Sequence, residues 1–277
     1  MPRNRFCSRK LKTTNKPKSN VMIELVDTHC HLQFADYPLD PEETLVNAKK
    51  DGVIAVIAVG CTLEDSRAAV DFATKHDNVW AAIGLHPHEA KSYVHNHKAL
   101  QEFRELASQP KVVAIGETGL DFYYNHSEED HQEQILRFQL DMAVEFKLPL
   151  IFHIREAFEQ FWPIFDQYEG LQGVVHSFTS NTQDLEQILS RGLHVGLNGI
   201  MTFTKRQEQL EAAKAVPLDK LLLETDAPFL TPAPFRGTMG ESKYVRVTGE
   251  FLSKLRGESM ENLASATTSN AKQLFRL

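Results

Sequence analysis

Cysteine is scarce in this chain. Its three residues, Cys7, Cys30 and Cys61, show no CxxC spacing. That speaks against a disulfide framework, and with no signal peptide ahead of them the thiols read as reduced, in a cytoplasmic protein. Long apolar runs are also missing. None approaches the roughly 20 residues that cross a bilayer, so no membrane partner is expected. There is no internal repeat and no low-complexity tract. Acidic residues are absent from positions 1–20, which carry Arg3, Arg5, Arg9, Lys10, Lys12, Lys16 and Lys18. The whole chain is −7, so the remainder is twice as acidic as that figure. Any nucleic acid must therefore be held by a local basic patch or by metal ions, not by a global field.

Residues 1–21 are expected to form a basic, disordered tail, or to precede a true start at Met22. They lack the apolar stretch of a secretory signal. An organellar transit peptide is a weaker reading, and a DNA-tethering arm the least supported. Residues 22–277 are long enough, at 42% hydrophobic for the chain as a whole, to form one large domain with a buried core.

Within that domain strand-like and helix-like segments alternate. Strands are expected at 23–28, 53–59, 79–85, 112–117, 148–153, 173–177, 194–198 and 221–225. They are rich in Val, Ile and Leu without strict alternation, as suits parallel strands covered on both faces. Helices fit 40–50, 64–76, 97–108, 128–147, 156–168, 182–191, 205–215 and 243–256. In 128–147, Ile135, Phe138, Met142 and Phe146 line one face, Ser127 is the expected N-cap, and Pro149 ends the run. This alternation predicts an α/β fold, a TIM-type (β/α)8 barrel. A final helix, about 259–275, is expected to pack outside it. An open doubly wound sheet is the rival, but it normally places its ligand at one switch point.

The candidate ligands decide between the two. Asp27-Thr28-His29-Cys30-His31 closes the first strand, and residues i and i+2 of a strand share a face, so His29 and His31 can aim at one point. Glu117, His153, His176 and Asp226 each follow a later strand-like run. They lie after strands 1, 4, 5, 6 and 8, and only a closed barrel brings those ends together. Imidazole and carboxylate suit zinc, manganese, iron or magnesium. A carboxylate such as Glu117 is costly to bury unpaired. It can instead bridge two cations about 3.5–4 Å apart, the arrangement used in phosphoester cleavage. Asp226 can then serve as ligand and base.

Asp27-Thr28-His29-Cys30-His31-Leu32, Gly84-Leu85-His86-Pro87-His88, Gly116-Glu117-Thr118-Gly119-Leu120-Asp121-Phe122, His176-Ser177-Phe178-Thr179 and Leu223-Glu224-Thr225-Asp226-Ala227-Pro228 together resemble the TatD family of metal-dependent deoxyribonucleases, in the amidohydrolase-like superfamily. The resemblance spans about 22–277. It implies two divalent cations (Mg, Mn or Zn), one held by His29, His31, Glu117 and Asp226, the other by Glu117, His153 and His176. It also implies hydrolysis of DNA, commonly from the 3′ end of single strands. After Pro234-Phe235-Arg236-Gly237 the sequence departs from the family's usual basic residues and Asn-Glu-Pro, a departure that bears on substrate contacts.

Further residues are candidates for substrate. His86 and His88 can meet phosphate or water. Arg155 and Arg236 are the best phosphate clamps, because a guanidinium matches phosphate bidentately. Phe122 and Tyr123 can stack on a base or simply pack. His76, His95, His97, His126, His131 and His194 show no converging partners. The alternative function is an amidohydrolase-type reaction on an amide, lactone or aminoacyl ester. Relatives in that direction often bridge their metals with a modified lysine, whereas the fourth strand here ends in Glu117. A silent binding protein is disfavoured by the complete ligand set. No obligate protein partner is evident.

Overall fold

Runs of Val, Ile, Leu and Ala become eight strands in a computed structural model that describes residues 23–124 and 126–277. They are β1 (Leu25–Cys30), β2 (Val53–Val59), β3 (Val79–Ile83), β4 (Val112–Asp121), β5 (Leu150–Arg155), β6 (Gly173–Val175), β7 (His194–Leu197) and β8 (Leu221–Leu223). The strands pair in parallel, in sequence order. The expected tail over 1–21 lies outside the described residues.

The seam between β1 and β8 is stitched at its C-terminal end. A parallel bridge joins Cys30 and Ala227, and the Thr28 hydroxyl donates to the Leu223 carbonyl at 3.0 Å. The His31 N–H donates to the Ala227 carbonyl at 2.7 Å, and the Asp226 N–H donates to the His29 carbonyl at 2.9 Å. Eight parallel strands alternating with helices thus make the TIM-type barrel that the sequence predicts.

The intervening helices are α1 (Pro41–Lys50), α2 (Leu63–Thr74), α3 (Ala90–Tyr93), α4 (His97–Leu106), α5 (Glu129–Phe146), α6 (Phe158–Phe165), α7 (Thr182–Ser190), α8 (Gln207–Ala215) and α9 (Val245–Arg256), followed by α10 (Met260–Phe275). Asp40, Thr62, Asn96, Asn181 and Ser259 cap helix starts by accepting backbone N–H groups. Ser127 does not. The cap position of α5 is Glu128, and the Ser127 hydroxyl instead donates to the His88 carbonyl while accepting the Lys91 N–H. It ties two mouth loops together. At the other end of α5, Lys147 turns into the left-handed region two residues before Pro149.

Two apolar clusters share the strands. One packs alternate strand residues, such as Val56 and Ala58, against the helices. The other fills the barrel interior with Val26, Ala55, Ile57, Val59, Ala82, Ile151 and Leu222. Ala271, Leu274 and Phe275 of α10 belong to this inner cluster. The last helix packs outside the strands, as expected, and lies across the foot with these side chains against the interior cluster. Thr268 donates to the Glu24 carbonyl, and Asn270 donates to the Leu218 and Leu221 carbonyls, which bolts α10 across the starts of β1 and β8. No helix of the described residues is long and apolar enough to cross a membrane.

Candidate metal centre

His29, Glu117 and His153 lie in the later parts of β1, β4 and β5, and His31, His176 and Asp226 follow the ends of β1, β6 and β8. Thr225-Asp226 leaves β8 through a residue with positive φ at Asp226, and Ser177, with φ +49, turns the chain just after His176. β4 runs on past its expected end at 117 to Asp121, pairing Gly119 with His153 and Asp121 with Arg155. Two glycines allow the close approach. A Cβ on Gly84 would stand 2.1 Å from the Glu117 nitrogen, and one on Gly119 only 1.8 Å from the His153 carbonyl. Neither contact is physically possible, so these positions seat Glu117 and His153.

Glu117 is the hub, and it is 4% exposed. Its Oε1 lies 2.7 Å from His153 Nδ1, 2.9 Å from His176 Nε2 and 3.4 Å from His86 Nε2. Its Oε2 lies 3.3 Å from His29 Nε2 and 4.0 Å from His31 Nε2. Asp226 Oδ1 joins this second group, 3.5 Å from His29 Nε2 and 3.4 Å from His31 Nε2. The six candidate ligands thus converge around one carboxylate. His86 converges with them, sharing a ligand-sized cluster with Glu117 and His153.

Burial alone would raise the Glu117 carboxyl, but the charges of His176 and His86 and the hydrogen bonds from His153 and His176 hold it well below the usual range. Burial works against the charged form of His176, yet Glu117 and Glu224 outweigh it and hold its pKa well above the ordinary value. His86 is pushed down to about 4, chiefly by burial.

The residues fit a divalent cation. His29 Nε2 and His31 Nε2 face each other at 3.2 Å, with carboxylate oxygens beside both. A single shared proton cannot satisfy so many converging lone pairs, whereas a cation can. His29 Nδ1 and His176 Nδ1 are buried without a hydrogen-bond partner.

The profile of the TatD related DNase family matches residues 26–276. The chain belongs to that family. It is 37% identical over 255 residues to the uncharacterized metal-dependent hydrolase YabD of Bacillus subtilis, covering 91% of this chain and 99% of that one. It is 32% identical over 259 residues to the 3'-5' ssDNA/RNA exonuclease TatD of Salmonella typhimurium, covering 91% and 98%. The crystal structure of YJJV, a TatD homologue of Escherichia coli, matches with a TM-score of 0.86 at 28% identity, covering 92% and 99% of the two chains. The chain is a metal-dependent hydrolase of the TatD family.

Other candidates fall in different places. Arg155, at the end of β5, is exposed and lies over the rings of Tyr123 and Tyr124, at 4.2 and 4.6 Å. Arg236 donates to the Thr231 carbonyl at 2.9 Å and rests 3.9 Å from the Phe203 ring centre. It lines a groove with Phe34, Phe229 and Met239. Phe34 stacks on His31 with ring centres 4.5 Å apart, so that groove borders the centre. His126 does converge, contrary to expectation: its ring stands 4.6 Å from that of His88.

Three buried acids beside the centre were not singled out from sequence. Asp121 Oδ2 lies 2.9 Å from both His88 Nε2 and His153 Nε2. Glu224 Oε1 accepts the Ser177 N–H at 2.5 Å and lies 3.5 Å from His176 Nδ1. Asp27 accepts the Thr225 N–H and hydroxyl, tying β1 to the residue before Asp226. Burial pushes Asp27 up to about 7, against hydrogen bonds that lower it. Spacing holds part of the signal: Asp27 stands two residues from His29 in β1, and Asp121 four from Glu117 in β4, the period of a shared strand face.

Proposed function

We propose that this protein is a deoxyribonuclease that hydrolyses phosphodiester bonds at the mouth of the barrel, by a two-cation arrangement centred on Glu117. The observation that carries this reading is the division of one carboxylate between two groups of imidazoles, Oε2 toward His29 and His31, Oε1 toward His153 and His176. His29, His31, Asp226 and Glu117 would hold one divalent cation, and Glu117, His153 and His176 the other. When bound, such cations polarise a phosphoester and make water acidic near neutral pH.

The chain's own groups supply the rest. Asp226 keeps its carboxylate on the His29 and His31 side of the site, where it accepts a proton from the attacking water. Burial would raise its carboxyl, but a hydrogen bond from His31 and the charges of His29 and His31 hold it lower, so it stands ready in the ionised form. Asp121 receives the Nε2 proton of His153, which leaves the Nδ1 lone pair facing the Glu117 side. Glu224 Oε1 lies 3.5 Å from His176 Nδ1 and sets a negative charge beside that ring. Arg155 offers an exposed guanidinium to phosphate. The family's exonuclease members make 3′-to-5′ removal from single-stranded DNA the leading mode, and free Cys30 and Cys61 accord with a cytoplasmic setting.

The test is metal-free protein reloaded with Mg, Mn or Zn and given end-labelled single- and double-stranded DNA beside a panel of lactones. Laddered loss of the single strand from its 3′ end is expected. Turnover of a lactone with none of DNA would move the assignment to amidohydrolase-type chemistry.

A further inference from the structure

We propose that the turn after β4 is a nucleobase-stacking subsite, built from Tyr123 and Tyr124 and mechanically joined to the metal centre through Asp121. The proposal rests on the nuclease reading for the identity of its ligand. Tyr123 and Tyr124 are 53% and 50% exposed, although each is a large ring close to the barrel mouth. Burying such rings is favourable, and leaving two of them half in water at a site needs a reason. They stand edge-to-face, 4.8 Å apart. Arg155 lies over both rings and His126 stacks on Tyr124, so the open ring surface is chiefly that of Tyr123, with a positive charge beside it. Rings for a base next to a guanidinium for its phosphate is the combination that single-stranded nucleic acid requires.

The turn is not a loose surface loop. The N–H groups of Tyr123 and Tyr124 both donate to Asp121 Oδ1 at 3.0 Å. The other oxygen of the same carboxylate contacts His153 and His88. The Tyr124 ring also lies 5.6 Å from the His88 ring and stacks on His126. A base resting on Tyr123 is therefore held at a set distance from the groups around Glu117. Only an unpaired base can offer its face in this way, so the subsite favours single strands and frayed ends.

The experiment compares binding of two phosphorothioate-linked, hydrolysis-resistant chains of equal length to the metal-loaded protein, followed by fluorescence anisotropy. One is oligothymidylate and the other is fully abasic. The wild type is expected to bind the base-bearing chain about tenfold more tightly. In Tyr123→Leu/Tyr124→Leu that preference should fall to within about twofold, with affinity for the abasic chain unchanged. Absence of a preference in the wild type, or its survival in the double variant, overturns the subsite. An equal loss for both chains also overturns it, since the turn would then act only through Asp121 and the histidines. Turnover of ordinary phosphodiester chains is measured separately. A preference without turnover keeps the subsite and rejects the nuclease reading; turnover without a preference does the reverse.

Discussion

The two ends of the barrel are built from the same eight strands and have opposite chemistry. At the foot, Ala271, Leu274 and Phe275 plug the interior against Val26, Ile57 and Leu222, and polar side chains serve only to bolt the plug in place. At the mouth, Asp27, His29, His31, Glu117, Asp121, His176 and Glu224 are all buried. Burying charge is costly unless it is paired or held by metal. The apolar clusters, the foot among them, favour folding, and the mouth opposes it by keeping a reactive cluster out of water.

Substitutions at each end should reveal the division. Glu117→Gln keeps the shape of the hub and removes its charge. It should lower kcat/KM on DNA on the order of a thousandfold or more, because the charge that would balance the two proposed cations is lost. Circular dichroism should show the fold retained. At the foot, Phe275→Ala should do the opposite. It should destabilise the protein by about 3–5 kcal/mol in denaturant titration. The folded fraction should keep kcat/KM within about twofold, since distant sites act independently. A large kinetic defect in Phe275→Ala would show that the two ends are coupled.

Asp121→Asn sharpens the picture within the mouth. The amide oxygen can still accept the Tyr123 and Tyr124 N–H groups, but the residue no longer holds the His153 proton as an anion. Affinity for one of two cations should weaken about ten- to a hundredfold by calorimetry, with little change at the other. The smallest effect is expected at Arg236. It packs on Phe203 and the Thr231 carbonyl, so Arg236→Ala should cost about 0.5–1.5 kcal/mol of stability. Its kcat/KM should fall less than that of Arg155→Ala, for which about a tenfold loss is expected.

The contrast between the ends also explains what could be read in advance. Apolar runs between turn residues reveal strands and helices directly, and all eight strands lie within a few residues of their expected places. The ligand pattern itself argued for closure, because His29 and Asp226 belong to the first and last strands and meet only across the seam. What escaped was three-dimensional. The extension of β4 to Asp121 depends on glycines that pack against β5, and local pattern does not report that. Ser127 carries the chemistry of a helix cap but spends it on the His88 loop. Arg236, a candidate phosphate clamp, rests against the aromatic face of Phe203, a contact that local pattern does not report. Nothing in linear spacing distinguishes a clamp from a packed guanidinium.

Metal stoichiometry decides whether Glu117 joins two cation sites. Metal-free wild type titrated with Mn in a calorimeter should bind two cations per chain, and Glu117→Gln should bind at most one, weakly. A single cation in the wild type, or two with undiminished affinity in Glu117→Gln, would contradict the account.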